Sequence, residues 1–163
     1  MQIDLVRASS EDATTLSNLF QYYVYDMSEF VDLDVVEQGR FAERSFEPYW
    51  TDPRRHPQFV RVDGKLAGFV LVHQKSRITG DENTWDLDQF FVMRKYRRRG
   101  VGQSVATRVF EMFRGPWEVR EVHSNLPAIA FWRRVIGNFT AGNFKETLFD
   151  DERWRGPVQS FQS

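Results

Sequence analysis

Apolar and polar positions alternate over residues 3–7 (Ile3-Asp4-Leu5-Val6-Arg7), the period-two signature of a strand. Ser9-Ser10-Glu11-Asp12 follows as a helix start, with a hydroxyl cap and acids in the first turn. The spacing of Leu16, Leu19, Phe20 and Tyr23 predicts that this helix turns those residues inward. Residues 22–34 mix aromatics with acids, and their second half reads as a loop or broken helix. A second short helix is expected within residues 36–49, ending near Pro48 or Pro53.

The pattern then changes period. Residues 58–62 form a strand, Asp63-Gly64 is a two-residue hairpin signal, and the nearly continuous apolar run in 65–73 is its buried partner. A polar turn over 76–83, containing Gly80, leads to a strand at 85–93. Val101, Val105, Val109, Met112 and Phe113 place a helix over 101–113, stopped by Gly115-Pro116. A strand at 117–123 precedes a helix over 126–136, with Asn125 as cap, Pro127 in its first turn and Gly137 as terminator. Residues 144–149 and 154–161 form a closing hairpin. No internal repeat or low-complexity linker interrupts the chain. The element order calls for a mixed sheet with helices on its faces.

At 163 residues this is most simply one domain, 1–163, with enough chain for a substantial core. Hydrophobic residues at 41% and aromatics at 15% exclude a disordered chain. A net charge of -1 argues against a general nucleic-acid binder. The absence of cysteine removes disulfides, a cysteine nucleophile, an acetyl-cysteine intermediate and thiolate-bound zinc. His56 and His73 have no ligand partners at metal-site spacing, so no metal is expected. The first residues lack the basic-then-apolar form of a signal peptide, and no apolar run reaches membrane-spanning length. A cytoplasmic protein, monomeric or homodimeric and without membrane partners, is the expectation.

Candidate chemistry concentrates in residues 87–103. An apolar strand runs into a loop with five basic residues among positions 94–99, then into Gly100-Val101-Gly102 at a helix start. Free N–H groups and the helix dipole make such an N-terminus a phosphate cradle, and glycine permits the close approach. The bland alternatives are a solvated basic turn or a nucleic-acid patch.

With Arg97-Arg98-Arg99-Gly100-Val101-Gly102 after an apolar strand, the chain resembles the GCN5-related N-acetyltransferase family, whose cofactor motif is Gln/Arg-x-x-Gly-x-Gly/Ala. Residues 125–132 resemble the family's second cofactor motif, Asn-x-x-Ala-x-x-Phe-Tyr, at the right distance. The resemblance implies an α+β fold, with a central mixed, mostly antiparallel sheet of about six to seven strands and about four flanking helices. It implies acetyl-coenzyme A as cofactor and direct acetyl transfer to a primary amine of a small molecule or peptide. On that basis the amides from Arg99 through Gly100, Val101, Gly102 and Gln103 to Ser104 would cradle the pyrophosphate, with the Arg97, Arg98 and Arg99 side chains on its phosphates. Backbone groups of Phe91, Val92 and Met93 would pair with the pantetheine arm. Asn125, which is also a plain helix cap, would hydrogen-bond it, and Phe131 would pack beside it.

Trp132 stands where the family often has a tyrosine. An indole N–H cannot transfer a proton, so the general acid is unassigned. Asp86 and Asp88 share a strand face and are candidate bases, though an unshifted aspartate is a poor base at neutral pH. His123 and a water relay are further options. The acid- and aromatic-rich stretch offers Tyr22, Tyr25, Asp26, Glu29 and Asp32 as a wall for a cationic amine, through charge and cation–π attraction. Two other readings remain: a catalytically quiet acyl-coenzyme A-binding module, and a nucleic-acid-binding domain using Arg94 to Arg99.

Overall fold

The computed structural model describes all 163 residues. Strand β1 (Ile3–Arg7) leads through a 3-10 turn (Ser10–Asp12) into helix α1 (Ala13–Met27). The Ser9 amide donates to the Asp12 carboxylate at 2.9 Å, closing the turn as the hydroxyl–acid pattern requires. Helix α1 buries Leu16, Leu19 and Phe20 and ends at Met27, so the second half of residues 22–34 is non-helical as expected. Helix α2 (Glu47–Thr51) is shorter and later than expected. Pro48 lies in its first turn, where the missing N–H costs nothing, so this proline starts the helix rather than ending it.

Strands β2 (Arg55–Val62) and β3 (Lys65–Gln74) form the anticipated hairpin, with Asp63 and Gly64 both at positive φ. Strand β4 (Trp85–Val92) is followed by helix α3 (Val101–Met112), strand β5 (Pro116–Arg120) and helix α4 (Leu126–Phe139). Gly137 does not end α4. It lies inside the helix, and its bare Cα faces the Phe144 ring at 3.7 Å from where a Cβ would sit. Strand β5 ends at Arg120, three residues before the expected His123, although the Glu121 and His123 amides still donate to the Pro157 and Arg155 carbonyls. Strands β6 (Phe144–Asp150) and β7 (Arg155–Gln162) close the chain.

All seven strands form one sheet in the order β1-β2-β3-β4-β5-β7-β6, and β4–β5 is its one parallel pair. Each face carries a core. The larger one packs α3 and α4 on the sheet around Phe110, Trp117, Val105 and Ile136. The smaller one packs α1 and α2 around Leu16, Phe20, Phe69 and Leu71. β3 and β4 lie so close that a Cβ on Gly68 would come 2.0 Å from the Phe91 carbonyl oxygen.

Candidate functional site

Strand β4 is bulged. Leu71 pairs with Gln89 and Val72 with Leu87, so Asp88 is the extra residue. A bulge bends its strand and sharpens the local twist. Parallel pairing of β4 with β5 is confined to Trp85–Trp117 and Asp86–Glu118, and beyond it the two strands part. The Met93 amide donates to Ala67 on β3 at 2.8 Å. Backbone groups alternate in direction along a strand, so those of Phe90 and Val92 face the opening instead. Arg97 Nε donates to the Val92 carbonyl at 2.6 Å, leaving the Val92 N–H and both backbone groups of Phe90 available there.

The loop after β4 ends in a concave row of amides. Arg98 and Gly100 take left-handed φ values of 58° and 80°, and the first bond of α3 runs from the Ser104 amide to the Gly100 carbonyl at 3.0 Å. The amides of Arg98, Arg99, Gly100, Val101, Gly102 and Gln103 find no backbone or side-chain acceptor in the protein. Six successive free donors at a helix N-terminus form an anion nest, which is the cradle expected from the glycines. Ser104 is not among them, since its amide is already bonded.

The side chains divide differently from expectation. Arg94 Nε reaches Asp26 on α1 at 3.0 Å, and Arg97 is in direct contact with the same carboxylate. Arg97 is therefore tied to α1 and to β4, while Arg98 and Arg99 are exposed and unpaired beside the nest. A Cβ on Gly102 would meet the Phe131 ring at 3.2 Å, so that glycine lets α3 approach α4. Phe131 in turn lies against Phe90 and Trp132, with ring centroids 6.1 and 4.9 Å away.

Where β4 and β5 part, a cavity of about 710 Å³ opens through the sheet. Its wall includes Asp86, Asp88, Phe90, Asn125, Ala128 and Trp132, together with Tyr23 and Met27 of α1. Asp86 is almost fully buried and paired with Arg120 through two bonds of 2.9 and 2.8 Å. Burial raises its pKa to about 6 against the pull of that guanidinium. Asp88 accepts from Arg44 at 2.8 Å and from the Tyr49 hydroxyl. Burial alone would raise it, but these partners hold it below the usual carboxylate range. Glu121, just past β5, has no hydrogen-bond partner for either oxygen, and burial pushes its pKa up to about 8.

Asn125 caps α4 through an oxygen that accepts from Ala128 N–H at 3.1 Å, while its amide nitrogen faces the Met27 sulfur at 3.8 Å. Trp132 is buried edge-on to Phe90, with ring centroids 4.9 Å apart. His123 is exposed and outside the cavity wall. The expected substrate wall is not assembled either. Tyr22 and Tyr25 point to solvent, Asp26 is held by two arginines, Glu29 and Asp32 are exposed, and none of the five borders the cavity. The adjacent Tyr23 does border it. Burial raises the Tyr23 pKa to about 12, and its hydroxyl has no partner within the protein.

Sequence reasoning missed Arg44, Tyr49, Arg55, Arg120 and Glu121. Arg44 lies in a segment without periodicity, and Tyr49 sits in a five-residue helix. Buried charge was a usable signal for the strands: Asp86 stands between Trp85 and Leu87 and Arg120 beside Val119, and a charge among core-facing neighbours calls for a partner.

The family model for the Acetyltransferase (GNAT) family matches residues 20–137. No curated protein matches the sequence. Solved structures match the fold over its whole length. An acetyltransferase from Thermus thermophilus is 15% identical, with a TM-score of 0.73 and coverage of 100% of this chain and 98% of that one. The PaiA N-acetyltransferase from Thermoplasma acidophilum, solved with coenzyme A, is 11% identical at a TM-score of 0.66, with 100% of each chain covered. A GNAT-family acetyltransferase from Staphylococcus aureus is 12% identical at 0.63, with 99% of each covered.

Proposed function

Because the chain belongs to the GNAT acetyltransferase family, we propose that it transfers the acetyl group of acetyl-coenzyme A directly to a primary amine of a small molecule or peptide, inside the cavity between β4 and β5. The observation that carries this reading is the alignment of two fittings along one path: six free amides at the start of α3, and the open edge of β4 leading from them into the cavity. A polyphosphate with an amide-bearing arm fits both. The amides of Arg98 to Gln103 would hold the pyrophosphate, with Arg98 and Arg99 alongside. The exposed groups of Phe90 and Val92 would hydrogen-bond the pantetheine as an added strand would.

When bound, the coenzyme supplies a thioester whose carbonyl carbon accepts the amine. The Val92 N–H faces the gap and is placed to donate to the carbonyl oxygen as charge develops on it. The attacking amine must be neutral. Asp86, with its pKa raised to about 6, is a better-matched proton acceptor than Asp88, which Arg44 and Tyr49 hold ionised. Tyr23 replaces the hydroxyl that Trp132 lacks: it borders the cavity, remains protonated and has no competing partner, so it can donate to the departing sulfur.

The test is release of free thiol from acetyl-coenzyme A across an amine panel, with detection of the acetylated product by mass. The competing reading, a module that binds acyl-coenzyme A without turnover, is favoured by one observation, the indole of Trp132 in place of a phenol on α4. Tight binding with no thiol release from any amine would establish that alternative. A nucleic-acid role for the basic loop is poorly served, since Arg94 and Arg97 are engaged with Asp26.

A further inference from the structure

The face of the cavity on the α1 and α2 side carries charge that acetyl transfer does not call upon. Residues 55, 73 and 75 share the face of Phe59, Phe69 and Leu71 by strand alternation, and Arg55, His73 and Lys75 all border the cavity there. Arg77, on the loop after β3, borders it as well. The Arg55 guanidinium makes no hydrogen bond. Its Nε is buried without a partner, its nearest carboxylate oxygen, on Asp52, is 3.8 Å away, and it lies over the Tyr49 ring at 5.0 Å. Asp52 is itself engaged by Arg54 at 3.1 Å. Lys75 approaches Glu82 no closer than 4.0 Å, and Glu82 is bonded to Arg54 at 2.9 Å. The Arg77 guanidinium has no ion-pair partner, although its backbone amide donates to Glu118. His73 Nε2 is buried and unpartnered, with the Asp52 carboxylate 3.9 Å away.

Two of the three carboxyl groups that border this space are in the opposite condition, and the third, Glu121, is bonded at neither oxygen and is pushed by burial up to about 8. Asp86 is bonded twice by Arg120, and Asp88 by Arg44 and Tyr49. An ammonium group entering the cavity would find Asp86 and Asp88 already compensated and Glu121 held in its neutral form by burial. An oxyanion would find three cations with unused donors.

We infer that the acceptor is a small primary amine that also bears an oxyanion, carboxylate or phosphate, and that Arg55, Lys75 and Arg77 receive that group while the amine faces Asp86. The inference rests on the acetyl-transfer reading of the cavity. It reverses the expectation of a cationic acceptor, whose supposed wall lies outside the cavity. Two physical consequences favour it. An arginine with free N–H groups in a partly desolvated wall gives charge-assisted, planar bonds to an oxyanion. The same positive surroundings lower the pKa of the acceptor's own amine, which favours the neutral form that attacks.

The experiment has two arms, run on the whole protein. The first measures acetyl-coenzyme A binding by calorimetry. The second measures thiol release at saturating acetyl-coenzyme A for free amino acids, their methyl esters and amides, phosphoethanolamine and spermidine. The expected result is that an anionic amine exceeds its neutral ester in kcat/KM by about ten-fold or more, as loss of one charge-assisted bond implies. Amino acids against phosphoethanolamine then tell carboxylate from phosphate. Arg55→Gln and Arg77→Gln should raise KM for the anionic acceptor relative to the ester, and Arg55→Lys should recover part of the loss. Donor binding with equal or better turnover of esters or spermidine, or with no turnover of the anionic amines, overturns the acceptor class and leaves the donor site standing. Absence of donor binding overturns the acetyl-transfer reading, and this inference with it.

Discussion

Tyr23 and its neighbour Tyr22 show how much one residue of helical phase decides. Tyr22 is exposed, while Tyr23 packs against Phe91 at 6.2 Å and borders the cavity. If Tyr23 protonates the departing sulfur, Tyr23→Phe should lower kcat by about ten- to hundred-fold with acetyl-coenzyme A affinity unchanged. Trp132→Phe should keep kcat within about two-fold, since the indole contributes packing. Steady-state kinetics beside calorimetry separate the two outcomes. Glu121 gives a prediction in pH. Its carboxyl titrates near 4.5 unfolded and near 8 folded, so the folded state binds the extra proton between those values. Stability should fall as pH rises from 5 to 8, on the order of 3 kcal/mol for this one group. Thermal melts of the Glu121→Gln variant should show that slope flattened, and an unaltered slope would mean the carboxyl is solvated.

At the scale of elements, the bulge at Asp88 and the close contact at Gly68 set the path of β4. Gly68→Ala would press a methyl group against the Phe91 carbonyl, where backbone rather than a pliable side chain must yield. The expected loss is about 3 kcal/mol or more, read from the urea midpoint. The contact of α3 with α4 is similarly tight. Gly102→Val should displace the Phe131 ring and weaken acetyl-coenzyme A binding by about ten-fold or more, through the wall of the site rather than a direct clash with phosphate. Asn125→Ala should cost about 1 kcal/mol as a lost helix cap. Asn125→Asp keeps the capping oxygen, so any further loss of coenzyme affinity in that variant reports contact with the ligand.

For the molecule as a whole, the two sheet faces have separate duties. The α3–α4 side supplies the amide nest and the larger core, and the α1–α2 side supplies the charged wall. A ligand that spans the sheet through the β4–β5 gap should stabilise both sides together. Acetyl-coenzyme A at 100 times its dissociation constant should stabilise the fold by about 2.7 kcal/mol, visible as a raised melting temperature. No shift at millimolar ligand would count against the donor site.

Most strands and the helices α3 and α4 could be read from apolar period alone, because each has one face in a core. The row of free amides was legible too, since Gly100 and Gly102 and the helix start they open are local features. The sequence by itself thus determined the sheet-and-helix order and the row of free amides at the start of α3, both products of short-range backbone chemistry. The charged cavity wall was decided by tertiary structure. Arg44, Tyr49, Arg55, Lys75, Asp86, Asp88 and Arg120 come from six separate parts of the chain, and which charges cancel depends on their distances in space. Residues 22–32 read as an acidic substrate wall because acids and aromatics are neighbours there in sequence. Folding turned them outward or paired them with arginines, and brought a cationic wall to the cavity instead.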